Sequence, residues 1–214
     1  MDSILTDSFL MLISGSNNII EIVNLSLCVT GVAVILSCLI SMPISVLLST
    51  KKFFGKNLII LFINSLMALP PVVVGLVLYL LISARGPLAA YELLYTPGAM
   101  VIAQFIILTP IIMSLSTQTI SDTNKQYNEF LNSLGLSIIQ KIKTLLWESR
   151  MSLIINAITG LGRGLSEVGA VIIVGGNIAH QTRVMTTTIA METSRGDLKL
   201  ALSVGIILII LSII

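Results

Sequence analysis

The sequence predicts an all-α integral membrane protein that crosses the bilayer five times. Three observations carry that prediction. Of 214 residues, 55% are apolar and only 10% are charged, against roughly 25% charged in an average soluble domain. The mean hydropathy is +1.02, and a soluble domain of this size turns too many residues to water to hide so much apolar surface. The few charges, moreover, bracket long charge-free runs. An ordinary soluble enzyme and a disordered chain are thereby excluded. A net charge of +2 is also too small to hold nucleic acid.

The first 20 residues are read as an extracytoplasmic or interfacial segment, preceding a membrane domain over 21–214. A secretory signal needs a basic start, whereas this one carries Asp2 and Asp7. Ile4, Leu5, Phe9, Leu12 and Ile13 share one helical side, which suits a short interfacial helix; a frayed start is the alternative. Three charge-free runs follow: Ile22–Thr50 (29 residues), Asn57–Ala84 (28) and Leu93–Ser121 (29). Each exceeds the roughly 20 residues that cross a bilayer as helix. A fourth span is expected over 151–175 although Arg163 and Glu167 interrupt it, and a fifth over 198–214. The predicted spans are thus about 22–49, 57–83, 98–119, 151–175 and 198–214. Pro43 and Pro70-Pro71 lie inside these runs and are expected to kink them, as passive bends or as hinges.

Seven of the twelve basic residues (Lys51, Lys52, Lys56, Lys125, Lys141, Lys143 and Arg150) fall in the first and third loops. The positive-inside rule therefore places those loops in the cytoplasm, the N-terminus outside and the C-terminus inside. From Leu200 onward 15 charge-free residues span about 22 Å as helix, short of the hydrocarbon thickness. That shortfall raises the expectation of a further cytoplasmic tail. Cys28 and Cys38, ten residues apart on one helix, lie about 15 Å apart, too far to bridge; both are read as buried thiols. Neither a metal cluster, a phosphate-cradling loop nor a nucleophile elbow is present, so neither catalytic site, metal nor cofactor is expected.

The third loop, 122–150, is too long for a plain connection. Phe130, Leu134, Ile138, Ile142 and Leu145 or Leu146 recur at helical spacing, and Gly135 interrupts them as a turn between two short helices would. This stripe packs either on the chain's own spans or on a partner. The fourth span holds Gly160, Gly162, Gly164 and Gly169, which let other backbones approach. Arg163 and Glu167, at i,i+4, share a face. Their pairing lowers the cost of charge inside the membrane and serves either helix packing or the permeation path. Beyond the Gly175-Gly176-Asn177 turn, Thr182, Thr186 and Thr187 with Arg183 offer donors that suit an oxyanion, although a Thr-rich loop is also ordinary solvated surface.

Glu129-Phe130-Leu131 with Gly135 resembles the E-A-A-x-x-x-G loop of binding-protein-dependent ABC importer permeases, with Phe130 and Leu131 in place of the two alanines and without the usual later Leu-Pro. The run from Gly162 through Asn177, the core Ser166-Glu167-Val168-Gly169-Ala170, Thr182–Thr187 and Glu192–Asp197 resemble the tungstate, molybdate and sulfate permeases of that family. The resemblance covers about 21–214. It implies a type I importer permease core in the plasma membrane of a prokaryote. In such a core a cytoplasmic coupling helix (Glu129, Phe130, Leu131 and Gly135) seats on an ABC ATPase subunit. It further implies a homodimer, an extracytoplasmic substrate-binding protein and an oxyanion substrate, tungstate before molybdate. Nothing in the residue chemistry itself separates those two ions. Two other classes stay open on the residues alone: a stand-alone channel or secondary transporter using the Arg163–Glu167 pair, and a membrane scaffold.

Overall fold

The computed structural model describes residues 17–51 and 53–213. The expected interfacial helix lies outside the described residues. Eight α-helices, and no strand, occur among them: α1 Asn17–Thr50, α2 Lys56–Leu66, α3 Pro71–Ile82, α4 Pro97–Ser133, α5 Ile138–Leu165, α6 Gly169–Gly175, α7 Met185–Arg195 and α8 Leu198–Ile213, with a 3₁₀ turn at Ala89–Tyr91. Among the described residues, two helices, α1 and α4, are long and apolar enough to cross a membrane; counting α2 with α3 and α5 with α6 as broken spans makes four. α8, at 16 residues, is a shorter apolar helix.

The prolines act unequally. Pro43 and Pro110 sit inside α1 and α4, which run on past them. Pro70-Pro71 instead ends one helix and starts another. Pro70 is held extended at φ −65°, ψ 120° because the following ring disfavours helix there, and Pro71 then occupies a first-turn position whose missing N–H costs nothing.

The chain divides into two compact units. One comprises Val34–Leu69 and Phe105–Leu161. In it, Ser37, Ser41, Ser45 and Ser49 of α1 donate to the carbonyls of Phe105, Thr109, Met113 and Thr117 of α4 at 3.5, 3.1, 3.0 and 2.9 Å. Every pair is separated by 68 residues, so the two helices run parallel and stay in register over more than three turns. Mid-helix serines ordinarily bond their own i−4 carbonyl. Here their small size lets the helices close up until the neighbouring carbonyl is in reach. The opposite side of α1 carries large exposed aliphatics such as Ile35 and Leu39, as expected of a surface that faces lipid. Cys28 is exposed and Cys38 half-buried, so neither is the buried thiol expected from sequence.

α5 runs antiparallel to α4, as Ser149 bonds Thr123 at 3.1 Å and Asn156 bonds Thr119 at 3.0 Å. The segment 122–150 is therefore no loop with its own short helices. α4 continues to Ser133, α5 begins at Ile138, and only four residues join them. Gly135 turns the chain at φ +64°, a backbone conformation that side chains disfavour. Ser137 and Gln140 then cap α5 reciprocally: the Gln140 amide oxygen accepts from the Ser137 N–H at 2.9 Å, and the Ser137 hydroxyl oxygen accepts from the Gln140 N–H at 3.4 Å.

The other unit comprises the chain up to Ala33, Pro70–Gln104 and the chain from Gly162 onward. α3 and α6 lie against each other at glycines. A Cβ on Gly75 would stand 2.7 Å from the Ala170 Cα, and one on Gly169 would stand 2.6 Å from a Val72 methyl. At Gly75 the obstacle is backbone, which cannot step aside; at Gly169 it is a side-chain methyl, which would have to shift.

Candidate functional site

The fourth charge-free region breaks where its charges are. α5 ends at Leu165 and α6 starts at Gly169, leaving Glu167 in the gap. A helix start exposes unpaired N–H groups, and in an apolar interior each needs an acceptor. Glu167 supplies one: its Oε1 accepts from the Ala170 N–H at 3.3 Å. Its Oε2 lies 3.4 Å from Arg163 Nη1, so the i,i+4 pair read from spacing is formed. The two partners differ in burial. The Glu167 side chain is 5% exposed, whereas that of Arg163 is 43% exposed. Glu167 is thus built into the fold, while Arg163 leaves nearly half its side-chain surface open.

Around Glu167 gathers a polar nest. Thr186 donates to the Glu167 carbonyl at 2.8 Å. Gln104 of α4 donates through Nε2 to the Gly164 carbonyl at 3.1 Å, and its Oε1 is buried without a partner. Ser26 of α1 donates to the Ile22 carbonyl at 2.7 Å and accepts from the Met185 N–H at 2.8 Å, which ties the start of α7 to α1. These residues, with Thr30, line a cavity of about 10 Å³, room for about one water.

The glycines of this span divide by what they face. Gly160 meets Ile112, whose side chain a Cβ would approach to 2.7 Å, and Gly169 meets Val72. Gly164 offers its carbonyl to Gln104, and Gly162 has nothing within 4 Å of a Cβ position.

The threonines read as donors at an outer mouth are buried, and each has given its one proton to the backbone. Thr182 donates to the Gly175 carbonyl and accepts from the Ile178 N–H at 2.9 Å. Thr186 is spent on Glu167, and Thr187 bonds the Val184 carbonyl at 3.0 Å. They build the turn and the start of α7. Asn177, at φ +51°, turns the chain and donates to the Met191 sulfur at 3.1 Å. Of that set Arg183 keeps the most donor capacity: its Nε has no partner and Nη2 reaches the Met191 sulfur at 3.9 Å. Ser26, Thr30 and Gln104 were missed from sequence; an amide at position 104, deep in the apolar part of a charge-free run, was the available signal.

The tip of the α4–α5 hairpin is a second candidate. Leu131 and Leu145 are buried in their own bundle, whereas Phe130 is 60%, Leu134 55%, Ile138 71% and Ile139 81% exposed. The predicted stripe is thus split, one part packed at home and the other left open. Glu129 stands beside this apolar cap, exposed. Nearby Lys141 donates to Asn128 and Asn132, and Arg150 stacks 4.2 Å over Trp147.

Comparison with known proteins adds what geometry cannot. Over 202 residues the chain is 37% identical to the tungstate uptake system permease protein TupB of Peptoclostridium acidaminophilum, covering 94% of this chain and 89% of that protein. The chain belongs to the TupB-type family of ABC transporter permeases. The permease is also 33% identical to the TupB of Campylobacter jejuni over 94% of this chain and 84% of that one. A probable anion ABC transporter permease protein of Haloferax volcanii is 34% identical over 90% and 85%. No family model matches the chain. The permease is a multi-pass membrane protein of transport function, which agrees with its apolar helices.

Proposed function

We propose that this chain is the membrane-spanning subunit of an ATP-driven uptake system for a tetrahedral oxyanion, tungstate first and molybdate next. The observation that carries this reading is the 37% identity to a tungstate uptake permease across 94% of the chain. The protein crosses the membrane five times, through α1, α2 with α3, α4, α5 with α6, and α8, with the N-terminus outside. The parallel α1–α4 pair and the antiparallel α5 support that order, because alternate spans must point the same way.

Two copies pair to line one pathway, and a substrate-binding protein delivers the anion from outside. The exposed tip of each α4–α5 hairpin, with Glu129, Phe130 and Gly135, seats on an ATPase subunit; Leu131 holds the tip to its own bundle. α4 and α5 run unbroken from that tip for 37 and 28 residues, so a push at the tip has helices to act on. Arg163, paired yet partly exposed, faces the pathway or the partner protomer. A stand-alone ion relay through Arg163–Glu167 has less support, since the Glu167 carboxylate is committed to Arg163 and to the start of α6.

The test is uptake into proteoliposomes holding the permease with its ATPase and binding protein, with tungstate, molybdate and sulfate as competing anions. ATP-dependent tungstate accumulation is expected, and its absence for all three anions would sink the reading. Phe130→Asp with Ile139→Asp should abolish ATP-driven uptake while the permease still elutes as a folded dimer.

A further inference from the structure

The turn that follows α6 is strained at a second residue besides Asn177. His180 stands at φ +61°, a region that non-glycine residues enter at a cost and that tends to mark functional positions. Its ring Nδ1 lies 2.7 Å from Glu21 Oε2, at the start of α1. Both residues line a cavity of about 190 Å³, together with Asn18, Gln181, Arg183 and Leu200.

Two opposite charges thus border one cavity without pairing. Among the described residues Arg183 has no carboxylate within 4 Å. Its Nε is buried without a hydrogen-bond partner, and Nη2 reaches only the Met191 sulfur at 3.9 Å. A half-buried guanidinium left this way is costly. Glu21 would be its natural partner, but Glu21 is already held by His180.

We propose that this cavity is an oxyanion subsite of the permease. The Arg183 guanidinium supplies the charge and a fork of N–H donors that matches a tetrahedral oxyanion. The amides of Asn18 and Gln181 supply neutral donors. His180 acts as a positioning residue: by holding the Glu21 carboxylate, it keeps the guanidinium open. The subsite deepens the oxyanion-permease reading and rests on it.

The experiment measures the half-saturating tungstate concentration and the maximal rate separately, in proteoliposomes holding the whole complex. Arg183→Gln should raise the half-saturating concentration about tenfold, the worth of one charge-assisted hydrogen bond. His180→Ala should do the same, because the freed Glu21 closes onto Arg183. The double variant His180→Ala with Glu21→Gln should return to within about twofold of the unaltered protein, a recovery that a folding defect would not show. Adding Glu21→Gln to Arg183→Gln should restore nothing.

Unchanged half-saturation in both single variants, with tungstate still imported, would overturn the subsite and leave the permease reading standing. Loss in His180→Ala without rescue by Glu21→Gln would overturn it as well. If the unaltered complex imports none of the three oxyanions, the permease reading fails and takes the subsite with it. A headgroup phosphate presents the same chemistry as the transported anion. Vesicles of galactolipid, which lack phosphate, separate the two: an Arg183 effect that persists there supports the transported anion, and one that vanishes assigns the cavity to lipid and overturns the proposal.

Discussion

The serine ladder and the Glu167 nest solve the same problem in different ways. Both place polar side chains among apolar helices, where an unsatisfied group costs several kcal/mol. In the ladder, α1 and α4 run on unbroken past Pro43 and Pro110, so their backbone satisfies itself apart from the one bond that each proline removes. The serines are extra, one hydroxyl to one carbonyl, repeated every four residues. In the nest the helix itself is broken. Glu167, Thr186 and Gln104 reach the backbone of the break, at Ala170, Glu167 and Gly164 respectively. The ladder is redundant, and the nest is not. A region of complete helices loses polar contacts one at a time, whereas a broken helix depends on a few residues together.

That contrast can be broken or sharpened by substitution, followed as thermal unfolding in detergent. The largest effect is expected at Gly75→Leu. Its first added carbon would already stand 2.7 Å from the Ala170 backbone, which cannot step aside, so a loss of about 3 kcal/mol or more is expected from overpacking. Next comes Glu167→Ala, which strips the Ala170 N–H and Arg163 of their acceptor. About 1–3 kcal/mol is expected for the buried donor, with little added for Arg163, whose exposure screens it. Glu167→Gln should cost clearly less, because an amide oxygen still caps α6. Equal losses in the two variants would show that charge, not capping, dominates.

Ser41→Ala should cost only about 0.6 kcal/mol, the average for a hydrogen bond between membrane helices. A loss approaching that of Glu167→Ala would remove the claim of redundancy. Gly162→Ala should be neutral or stabilising by up to about 1 kcal/mol, since the added methyl meets open space and alanine is the better helix former.

Much of the frame is legible in the order of residues alone. Charge-free runs place α1, the α2–α3 pair and the apolar part of α4, because burial in lipid tolerates few charges and the 3.6-residue period does the rest. Arg163–Glu167 and the Gly135 turn are equally legible, the first from i,i+4 spacing and the second from the one residue type that accepts a positive φ freely. Ser137 and Gln140 spell a capping box, a signal hidden by the apolar stripe around it. The extension of α4 to Ser133 and of α5 back to Ile138 is less accessible, since their outer turns carry polar residues such as Asp122, Asn124 and Lys125 that read as loop.

The site divides along the same line. From sequence, the hydroxyls of Thr182, Thr186 and Thr187 look free to meet an anion. In the structure each is used by a backbone carbonyl of the turn or the helix break, and the free donor is Arg183. Likewise four glycines look alike at positions 160, 162, 164 and 169, but Gly162 meets nothing, whereas a Cβ on Gly169 would run into a Val72 methyl.

By itself, then, the sequence determined that the chain lives in a membrane as apolar helices, where the charge-free stretches lie and which neighbours on one helix pair. Those properties depend on composition and on contacts three or four residues apart. Tertiary structure alone decided which serines meet α4, which donors are already spent and why Arg183 stands open while Glu21 is held. The serine ladder and the Glu21–His180 contact join groups 68 and 159 residues apart, and even the threonines, whose acceptors lie 3 to 19 residues away, are spent only because the turn and the helix break fold back on them.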